Sequence, residues 1–397
     1  MEKEKRISAA FSMAAAVMIL VFAALNLPHL KTPLVLLLTG QTDFPGFTQL
    51  VHESYVNDTV GRYGFVDLNG LFMRMTGRRT DNSVMKLRNG MLTEENTPAC
   101  DVSKVADGIN RLAEYVQDKG MAFLYVQLPY KLDLNSALVI EGKTDFSHEN
   151  ADRLIKALDA DVDVIDLREL LCRDEADVEK NFFRTDHHWN YAGAFQGFSE
   201  LLRQLDKRFP DSGIDLSVGD IANWESHTVK NWLLGSRGRR TGRYFAGLDD
   251  ITYYTPKFET EITCDIPETG EFYEGDFTEA NIRPEKITGD RDLYEKDAYG
   301  IYMGTDYGYV RQKNAGASGK LKILLIKESY SLPWMAYLST AFECVDSVDP
   351  RHLENRTVRD YVDELAPDLV LLALNPNIIH LCPEDFSDYG IEPKTER

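Results

Sequence analysis

An acid and two imidazoles stand side by side at Asp186, His187 and His188, and this group could carry proton-transfer chemistry. Asp186 and His188 are two positions apart, so in an extended segment their side chains project to the same side. A carboxylate in that position can fix the tautomer of the imidazole and stabilise its protonated form. His187 would point the other way, where we expect a structural hydrogen bond rather than a metal ligand. The spacing predicts that His188 is a general base oriented by Asp186.

A nucleophile for this base is expected at Ser329. The apolar run from Leu321 to Ile326 predicts a buried strand, and Ser329 lies where that strand ends and a helix begins. In open α/β sheets, ligands bind beyond the carboxyl ends of the strands. A hydroxyl there lies beside free backbone N–H groups of the coming helix, which can stabilise an oxyanion. The two segments together predict a Ser–His–Asp group with Ser329 as its nucleophile.

Alternating strands and helices must position these residues. Short apolar runs predict buried strands, and 3.6-residue periodicity predicts the helices between them. The predicted strands are 122–128, 162–167, 321–326, 342–348 and 368–374, and the predicted helices are 102–116, 151–158, 190–205, 332–342 and 358–365. This order implies a parallel α/β sheet. The stretch 209–315 lacks helical periodicity, so we expect a β-rich insertion there.

The N-terminus carries a membrane signal. The uncharged stretch from Ile7 to Leu27 is long enough to span a bilayer, which takes about 20 apolar residues. Lys3, Lys5 and Arg6 precede it and favour an N-terminus on the inside and a body on the outside. A cleaved signal peptide is the alternative, although no clear cleavage site follows. We expect a retained signal anchor, and therefore a single-pass membrane protein with an extracytoplasmic body.

The overall charge excludes one class of partner. The chain has 64 acidic and 44 basic side chains and a formal net charge of −20. Nucleic acid is not an expected partner, because phosphate binding needs a basic field. The five cysteines are scattered and form no C-x-x-C pair. We therefore predict neither a metal site nor a cofactor.

Several neighbouring residues are candidates for substrate contact, each with a structural alternative. Trp189 either packs in the core or stacks on a sugar, and Arg184 either pairs with an acid or holds substrate. Lys131 follows a predicted strand end, where it either lines the pocket or is solvated. Tyr330, next to the expected nucleophile, is a further candidate.

Two more features leave alternatives open. The second oxyanion donor could be the backbone N–H of Gly304 or the side chain of Asn375. The run Arg237, Arg239, Arg240 and Arg243 is a cationic island in an acidic chain. It either holds an anionic glycan or pairs with the abundant acids.

Two blocks of this sequence resemble the DHHW family. They are Thr-Asp-His-His-Trp-Asn at 185–190 and Lys-Glu-Ser-Tyr-Ser at 327–331, and segments 235–242, 245–250 and 304–308 resemble it too. That family belongs to the SGNH-hydrolase-like group, whose relatives include the extracytoplasmic alginate O-acetyltransferases. The resemblance covers residues 50–380.

The resemblance implies a three-layer α/β/α fold with a parallel sheet and a catalytic triad. Ser329 would be the nucleophile, His188 the general base and Asp186 its orienting acid, with an acetyl-serine intermediate. It also implies a cell-surface polysaccharide acceptor and a membrane-bound O-acyltransferase as the acetyl donor partner. One departure is the Lys327-Glu328 pair before the serine, where the usual block has Gly-Asp. That change affects the local turn and one oxyanion N–H.

Three functions are compatible with these features. The first is an extracytoplasmic O-acetyltransferase, the second is a carbohydrate O-acetyl esterase with the same triad, and the third is a non-catalytic glycan-binding surface protein. We expect a signal anchor over 1–28, a juxtamembrane region over 29–100, and an α/β domain in two parts. Those parts are 101–208 and 316–397, separated by the insertion 209–315.

Overall fold

The computed structural model describes residues 2–131 and 138–391. The chain divides into two compact units, Met1–Phe72 and Met73–Arg397. The residues expected to do chemistry all lie in the second unit.

The first unit is helical. Its helices are α1 (Glu2–Asn26), α2 (Lys31–Leu38), α3 (Phe44–Asp58) and the start of α4 (Arg62–Thr76). Within the described part of the chain, one stretch, Ser12–Leu38, is helical, long and apolar enough to cross a membrane, and it has no buried residues in its apolar window. A signal peptide has the same length and composition, so the retained anchor stays a prediction. The expected juxtamembrane region, 29–100, includes helices α2, α3 and α4 and three short strands between Thr80 and Glu94.

The second unit is built on strands. They are β1 (Thr80–Asp81), β2 (Val84–Lys86), β3 (Leu92–Glu94), β4 (Ala122–Gln127), β5 (Asp163–Asp166), β6 (Trp224–Leu233), β7 (Asp249–Pro256), β8 (Ile262–Ile266), β9 (Glu271–Gly275), β10 (Tyr309–Asn314), β11 (Gly319–Ile326), β12 (Phe342–Val348) and β13 (Leu369–Leu374). Strands β1–β3 form a small antiparallel sheet, and β6 pairs with β7.

Among the described residues, eight strands form the central sheet in the order β5-β4-β13-β11-β12-β10-β8-β9. The first five strands in that order are parallel to one another, and the last three pair antiparallel. The parallel α/β sheet predicted from the apolar runs is confirmed. The stretch 209–315, expected as an insertion, supplies β8, β9 and β10 to this sheet, because their backbone groups continue the ladder from β12.

Helices cover both faces of the sheet. The helices of the second unit after α4 are α5 (Ser103–Asp118), α6 (Ser147–Ala157), α7 (Arg168–Leu171), α8 (Glu175–Asn181), α9 (Tyr191–Arg208), α10 (Ser236–Thr241), α11 (Arg243–Ala246), α12 (Phe277–Asn281), α13 (Leu332–Ala341), α14 (Val358–Leu365) and α15 (Ile378–Leu381).

Alternate side chains of each strand enter two separate cores. On β11, Ile323 and Leu325 pack with α9 and α13, whereas Leu324 and Ile326 pack with α5, α6 and α14. Successive side chains of a strand point to opposite faces, so a sheet buried on both faces needs a continuous apolar run. The three-layer α/β/α architecture follows from this pattern.

Replacing Leu371 by Ala tests this core. Leu371 is fully buried in the central strand β13, so we expect a loss of about 2–5 kcal/mol in the free energy of unfolding. Leu216→Ala is the matched control, because Leu216 is 41% exposed and its truncation should cost less than about 0.5 kcal/mol. Urea denaturation measures both. Equal losses in the two variants would contradict the layered core.

Candidate active site

The structure brings Asp186, His188 and Ser329 into one hydrogen-bonded chain. His188 Nδ1 lies 2.5 Å from Asp186 Oδ1, and His188 Nε2 lies 2.8 Å from Ser329 Oγ. An ionised carboxylate only accepts hydrogen bonds, so Nδ1 carries the proton and Nε2 accepts the serine hydroxyl. Asp186 and His188 are buried, whereas Ser329 is partly exposed and can be reached from solvent.

Local structure explains how these side chains are placed. Helix α9 begins after Asn190, whose side chain accepts the Gly193 N–H and so caps the helix. The loop before this helix is closed by a bridge between Phe182 and Trp189. Ser329 opens a short 3₁₀ helix, Ser329–Ser331, directly after β11. Base and nucleophile therefore meet at the carboxyl edge of the parallel strands.

The Asp186 carboxylate is held by more than its histidine. Oδ1 also accepts the backbone N–H of His188 at 3.0 Å, and Oδ2 accepts the Ser236 N–H at 2.5 Å. Burial opposes ionisation, but the hydrogen bonds from His188 and from the Ser236 N–H hold the pKa of Asp186 well below its usual range. The carboxylate is therefore ionised whenever the protein is folded near neutral pH.

Gly235 allows this arrangement by its size. A Cβ at Gly235 would lie 2.4 Å from Asp186 Cβ, closer than two carbon atoms can approach. The Gly235 N–H donates to Thr185 Oγ1, and the side chain of Asp249 accepts from Thr185. The segments 235–242 and 245–250, which carried part of the family resemblance, thus form the support of Asp186.

The Glu328 side chain accepts backbone hydrogen bonds at the turn that carries the nucleophile. Its carboxylate is buried and accepts the Tyr330 N–H at 3.0 Å and the Asn375 N–H at 3.3 Å. Burial raises the pKa of Glu328, opposed by Arg351, by the Tyr330 N–H and by the side chain of Asn375. The expected free N–H groups at this helix start are therefore fewer than predicted, because Tyr330 donates to Glu328. The Ser329 N–H makes no hydrogen bond to any described residue, so it can serve an oxyanion.

Lys327 fixes the end of β11 through buried charges. Its side chain is fully buried, and Nζ contacts Asp306 at 2.7 Å and Asp349 at 3.1 Å. Arg351 pairs with both acids as well. Burial lowers the pKa of Lys327, but the two carboxylates outweigh it and raise that pKa overall. Asp306 and Asp349, with His352, bring possible metal-ligand atoms within 4.8 Å, and the two cations neutralise the acids there.

The predicted direction of His187 is wrong. Its ring lies against His188 with centroids 3.7 Å apart, because the loop is bent by the Phe182–Trp189 bridge rather than extended. The expected structural hydrogen bond is present, between His187 Nδ1 and Ser236 Oγ at 2.8 Å. Burial and the neighbouring His188 lower the pKa of His187 well below its usual range, so this ring is neutral. Asp186, His187 and His188 bring potential ligand atoms within 4.8 Å, but both Asp186 oxygens already accept hydrogen bonds.

Three substrate candidates make hydrogen bonds to backbone carbonyls of the protein itself. Lys131 is 1% exposed, and its Nζ donates to the carbonyls of Leu92, Phe183 and Asp186, so it supports the loop rather than lining the pocket. Trp189 is fully buried and donates to the Tyr330 carbonyl, which excludes a sugar platform. The exposed side chain of Arg184 donates to the Leu248 carbonyl rather than to any acid among the described residues, and its contact with substrate stays a prediction.

Of the three remaining candidates, Gly304 and Tyr330 make hydrogen bonds to backbone carbonyls. The Gly304 N–H donates to the carbonyls of Gly300 and Tyr302, so it is not an oxyanion donor in this conformation. Tyr330 is buried, and its hydroxyl donates to the His187 carbonyl at 2.5 Å. Asn375 lies beside Glu328 and stays a candidate.

The arginine island pairs with acids. Arg237 and Arg240 both contact Glu94, at 2.6 and 3.2 Å, and Arg239 contacts Asp297 at 3.4 Å. Arg237 is 8% exposed. The structural alternative therefore describes these three arginines better than a patch for an anionic glycan.

One residue at the site was missed by the sequence analysis. The ring of Tyr299 stacks on His188, and its hydroxyl donates to the carbonyl of Ser329 at 3.1 Å. Tyr299 lies in the stretch 209–315, where no periodicity or motif singled it out. Only the fold brings it to the base.

Gly235→Ala should disable the site without general unfolding. The φ angle of Gly235 is −65°, which alanine adopts freely, so the added methyl acts only by displacing Asp186. A displacement of about 1 Å at a catalytic group can cost about 100-fold in rate, and we expect a loss of that size in ester turnover. Gly316→Ala is the control, since its nearest foreign atom would be 3.4 Å away. Unchanged turnover in Gly235→Ala would contradict the placement of Asp186.

Lys131→Met should change how stability depends on pH. Burial lowers the pKa of Lys131 to about 7, against 10.5 ordinarily, so between these values the unfolded chain binds more protons than the native one. Stability from this group therefore rises with pH, by at most about 1.4 kcal/mol per unit between pH 7 and 9. Urea denaturation at pH 7, 8 and 9 should show this slope in the wild type and lose it in the variant. Parallel curves would contradict the assignment.

Comparisons with known proteins agree with this fold. Residues 88–215 match the family model described as SGNH hydrolase-like domain, acetyltransferase AlgX. That range contains Asp186 and His188 but ends before Ser329. A search of curated proteins found no match.

Solved structures share the fold of most of the chain. PatB1 from Bacillus cereus is 22% identical, with a TM-score of 0.62 over 78% of this chain and 98% of that one. A DHHW family protein from Eubacterium siraeum is 17% identical, with a TM-score of 0.59 over 77% of this chain and 95% of that one. The SGNH-hydrolase-like fold and the resemblance to the DHHW and AlgX families, predicted from the two motif blocks, are confirmed.

Proposed function

We propose that this protein is an extracytoplasmic O-acetyltransferase that moves an acetyl group, through acetyl-Ser329, onto a hydroxyl of a cell-surface polysaccharide. The observation that carries this proposal is the hydrogen-bonded chain from Asp186 through His188 to Ser329, with distances of 2.5 and 2.8 Å. The match of residues 88–215 to an acetyltransferase family model supports acetyl as the transferred group, and the polysaccharide acceptor rests on the family resemblance.

The first half-reaction forms the acyl-enzyme. His188 Nε2 takes the hydroxyl proton as Ser329 Oγ attacks the acetyl carbonyl, and Asp186 stabilises the imidazolium that results. The Ser329 N–H stabilises the oxyanion, together with a second donor for which Asn375 is the candidate. When the tetrahedral intermediate collapses, the donor's leaving group departs with the proton from His188, and acetyl-Ser329 remains.

The second half-reaction transfers the acetyl group. A sugar hydroxyl attacks the acetyl carbonyl while His188 removes its proton, and the proton returns to Ser329 Oγ as the serine leaves. Water in place of the sugar would make the same site an esterase. The acceptor is therefore decided by which hydroxyl reaches the acyl-serine, since the proton transfers are identical.

The proposal includes attachment of the protein to the cell membrane. The apolar helical stretch Ser12–Leu38 would retain the protein at the outer face of the cell membrane. A membrane-bound O-acyltransferase would supply acetyl groups there. The family resemblance supports this partner.

Turnover and transfer by active-site variants test the proposal. The chain from about residue 40 onward is incubated with nitrophenyl acetate, with and without glycan oligosaccharides as acceptors. We expect Ser329→Ala and His188→Ala each to lose a factor of about 10³ or more in turnover, since members of a triad act as a unit. Acetylated oligosaccharide, detected by mass spectrometry, should form only with an intact triad.

Ser331→Ala is the matched control. Ser331 is buried two residues from the nucleophile, and its hydroxyl has no hydrogen-bond partner among the described residues. This variant should keep wild-type turnover. Acetate release without any acetylated glycan would favour the esterase, and turnover equal to wild type in Ser329→Ala would contradict both enzymes and leave the glycan-binding protein.

A further inference from the structure

We propose that Tyr299 is the positioning residue of the Ser329–His188 pair. Its ring sets the plane of the imidazole, and its hydroxyl sets the peptide that carries the nucleophile. This inference rests on the proposed acyl-transfer function. It adds a residue that lies outside both motif blocks, 185–190 and 327–331.

The ring of Tyr299 lies flat against His188. Their centroids are 3.8 Å apart and their planes differ by 7°. The ring of His187 is 3.7 Å from His188 and inclined by 37°. Two rings at that distance cannot share one face of an imidazole, so His188 is confined between them. Confinement on both faces keeps Nε2 directed at Ser329 Oγ while the proton moves.

The hydroxyl of Tyr299 holds the other half of the pair. It donates to the carbonyl of Ser329 at 3.1 Å and to the carbonyl of Tyr330 at 3.2 Å. Burial raises the pKa of Tyr299 well above its usual value, so the phenol stays a neutral donor. Base and nucleophile are 141 positions apart in the chain, and this one side chain contacts both loops.

Tyr299 is itself fixed before substrate arrives. Its N–H donates to Asp297 Oδ1 at 3.2 Å, and its carbonyl accepts the hydroxyl of Tyr191 at 2.8 Å. The Tyr191 ring stacks at 5.9 Å, and the edge-to-face ring of Phe183 lies at 6.2 Å. The side chain is 2% exposed. A group held this firmly positions its neighbours without reorganising during the reaction.

The stacked ring also has an electrostatic effect. The face of a phenol ring carries partial negative charge and attracts a cation above it. His188 becomes an imidazolium in both half-reactions of the proposed mechanism. Tyr299 therefore stabilises the charged form of the base where that charge develops.

Two variants separate the ring from the hydroxyl. Tyr299→Phe keeps the ring and removes the hydroxyl, and Tyr299→Leu removes both. Tyr302→Phe is the matched control, because Tyr302 is fully buried and donates to the Tyr254 carbonyl at 2.8 Å. It therefore also loses a buried hydroxyl, at a position whose ring neighbours are Tyr191, Phe277 and Tyr337.

The measurement is the burst of nitrophenol when the full chain, in detergent, reacts with nitrophenyl acetate. We expect the acylation rate constant to fall about 5- to 10-fold in Tyr299→Phe and about 100-fold in Tyr299→Leu. The ester concentration at half-maximal rate should stay unchanged, and Tyr302→Phe should lie within about twofold of wild type.

The fall in acylation rate at an unchanged half-maximal ester concentration is the readout that a purely structural role would not produce. Nuclear magnetic resonance of labelled histidine tests whether the stack itself exists in solution. Carbon-bound protons of His188 lie over the Tyr299 ring, so its ring current should shift them upfield. That shift should persist in Tyr299→Phe and disappear in Tyr299→Leu.

Equal acylation rates in wild type and Tyr299→Leu would overturn the inference, and so would an equal loss in Tyr302→Phe. A wild type that does not acylate would contradict the proposed function instead. In that case the histidine resonances still decide whether the stack exists.

Discussion

The buried carboxylate of Asp186 is the interaction on which the site depends. A carboxylate that is 2% exposed is costly unless every oxygen has a partner. Here His188 and the Ser236 N–H supply those partners, and Gly235 leaves room for them. If the carboxylate is misplaced, His188 loses its tautomer and its aim, and Ser329 loses its base.

The central sheet places the nucleophile near the base. Parallel strands β4, β13, β11 and β12 end at one edge, and the nucleophile follows β11 at that edge. Lys327 and Glu328 occupy the two positions where the SGNH-hydrolase-like block has Gly and Asp. Each of the two side chains makes contacts that stabilise the turn. Lys327 is tied to Asp306 and Asp349, while Glu328 accepts the Tyr330 N–H and so caps the turn. With this departure from the usual block, Ser329 Oγ lies 2.8 Å from His188 Nε2 and 3.4 Å from Glu328 Oε2, so the base is the nearer partner of the hydroxyl.

The features that depend on local sequence patterns could be predicted from the sequence. The apolar runs gave the parallel strands, and Asp186, His188 and Ser329 were chosen from spacing, strand ends and motif resemblance. The features that depend on contacts between distant parts of the chain could not be predicted. The direction of His187 follows from a bridge between Phe182 and Trp189. The burial of Lys131 follows from carbonyls that two distant segments supply, β3 and the loop before α9. The stretch 209–315 has no periodicity, so neither its strands in the central sheet nor the stacking of Tyr299 could be read from it.

The most direct test of the central claim is to locate the acetyl group on the protein. The chain from about residue 40 onward is incubated with nitrophenyl acetate, digested and analysed by peptide mass spectrometry, beside Ser329→Ala and His188→Ala. The account predicts a mass gain of one acetyl on the peptide that holds Ser329, absent from both variants. An acetyl on another residue, or equal labelling of that peptide in His188→Ala, would contradict it.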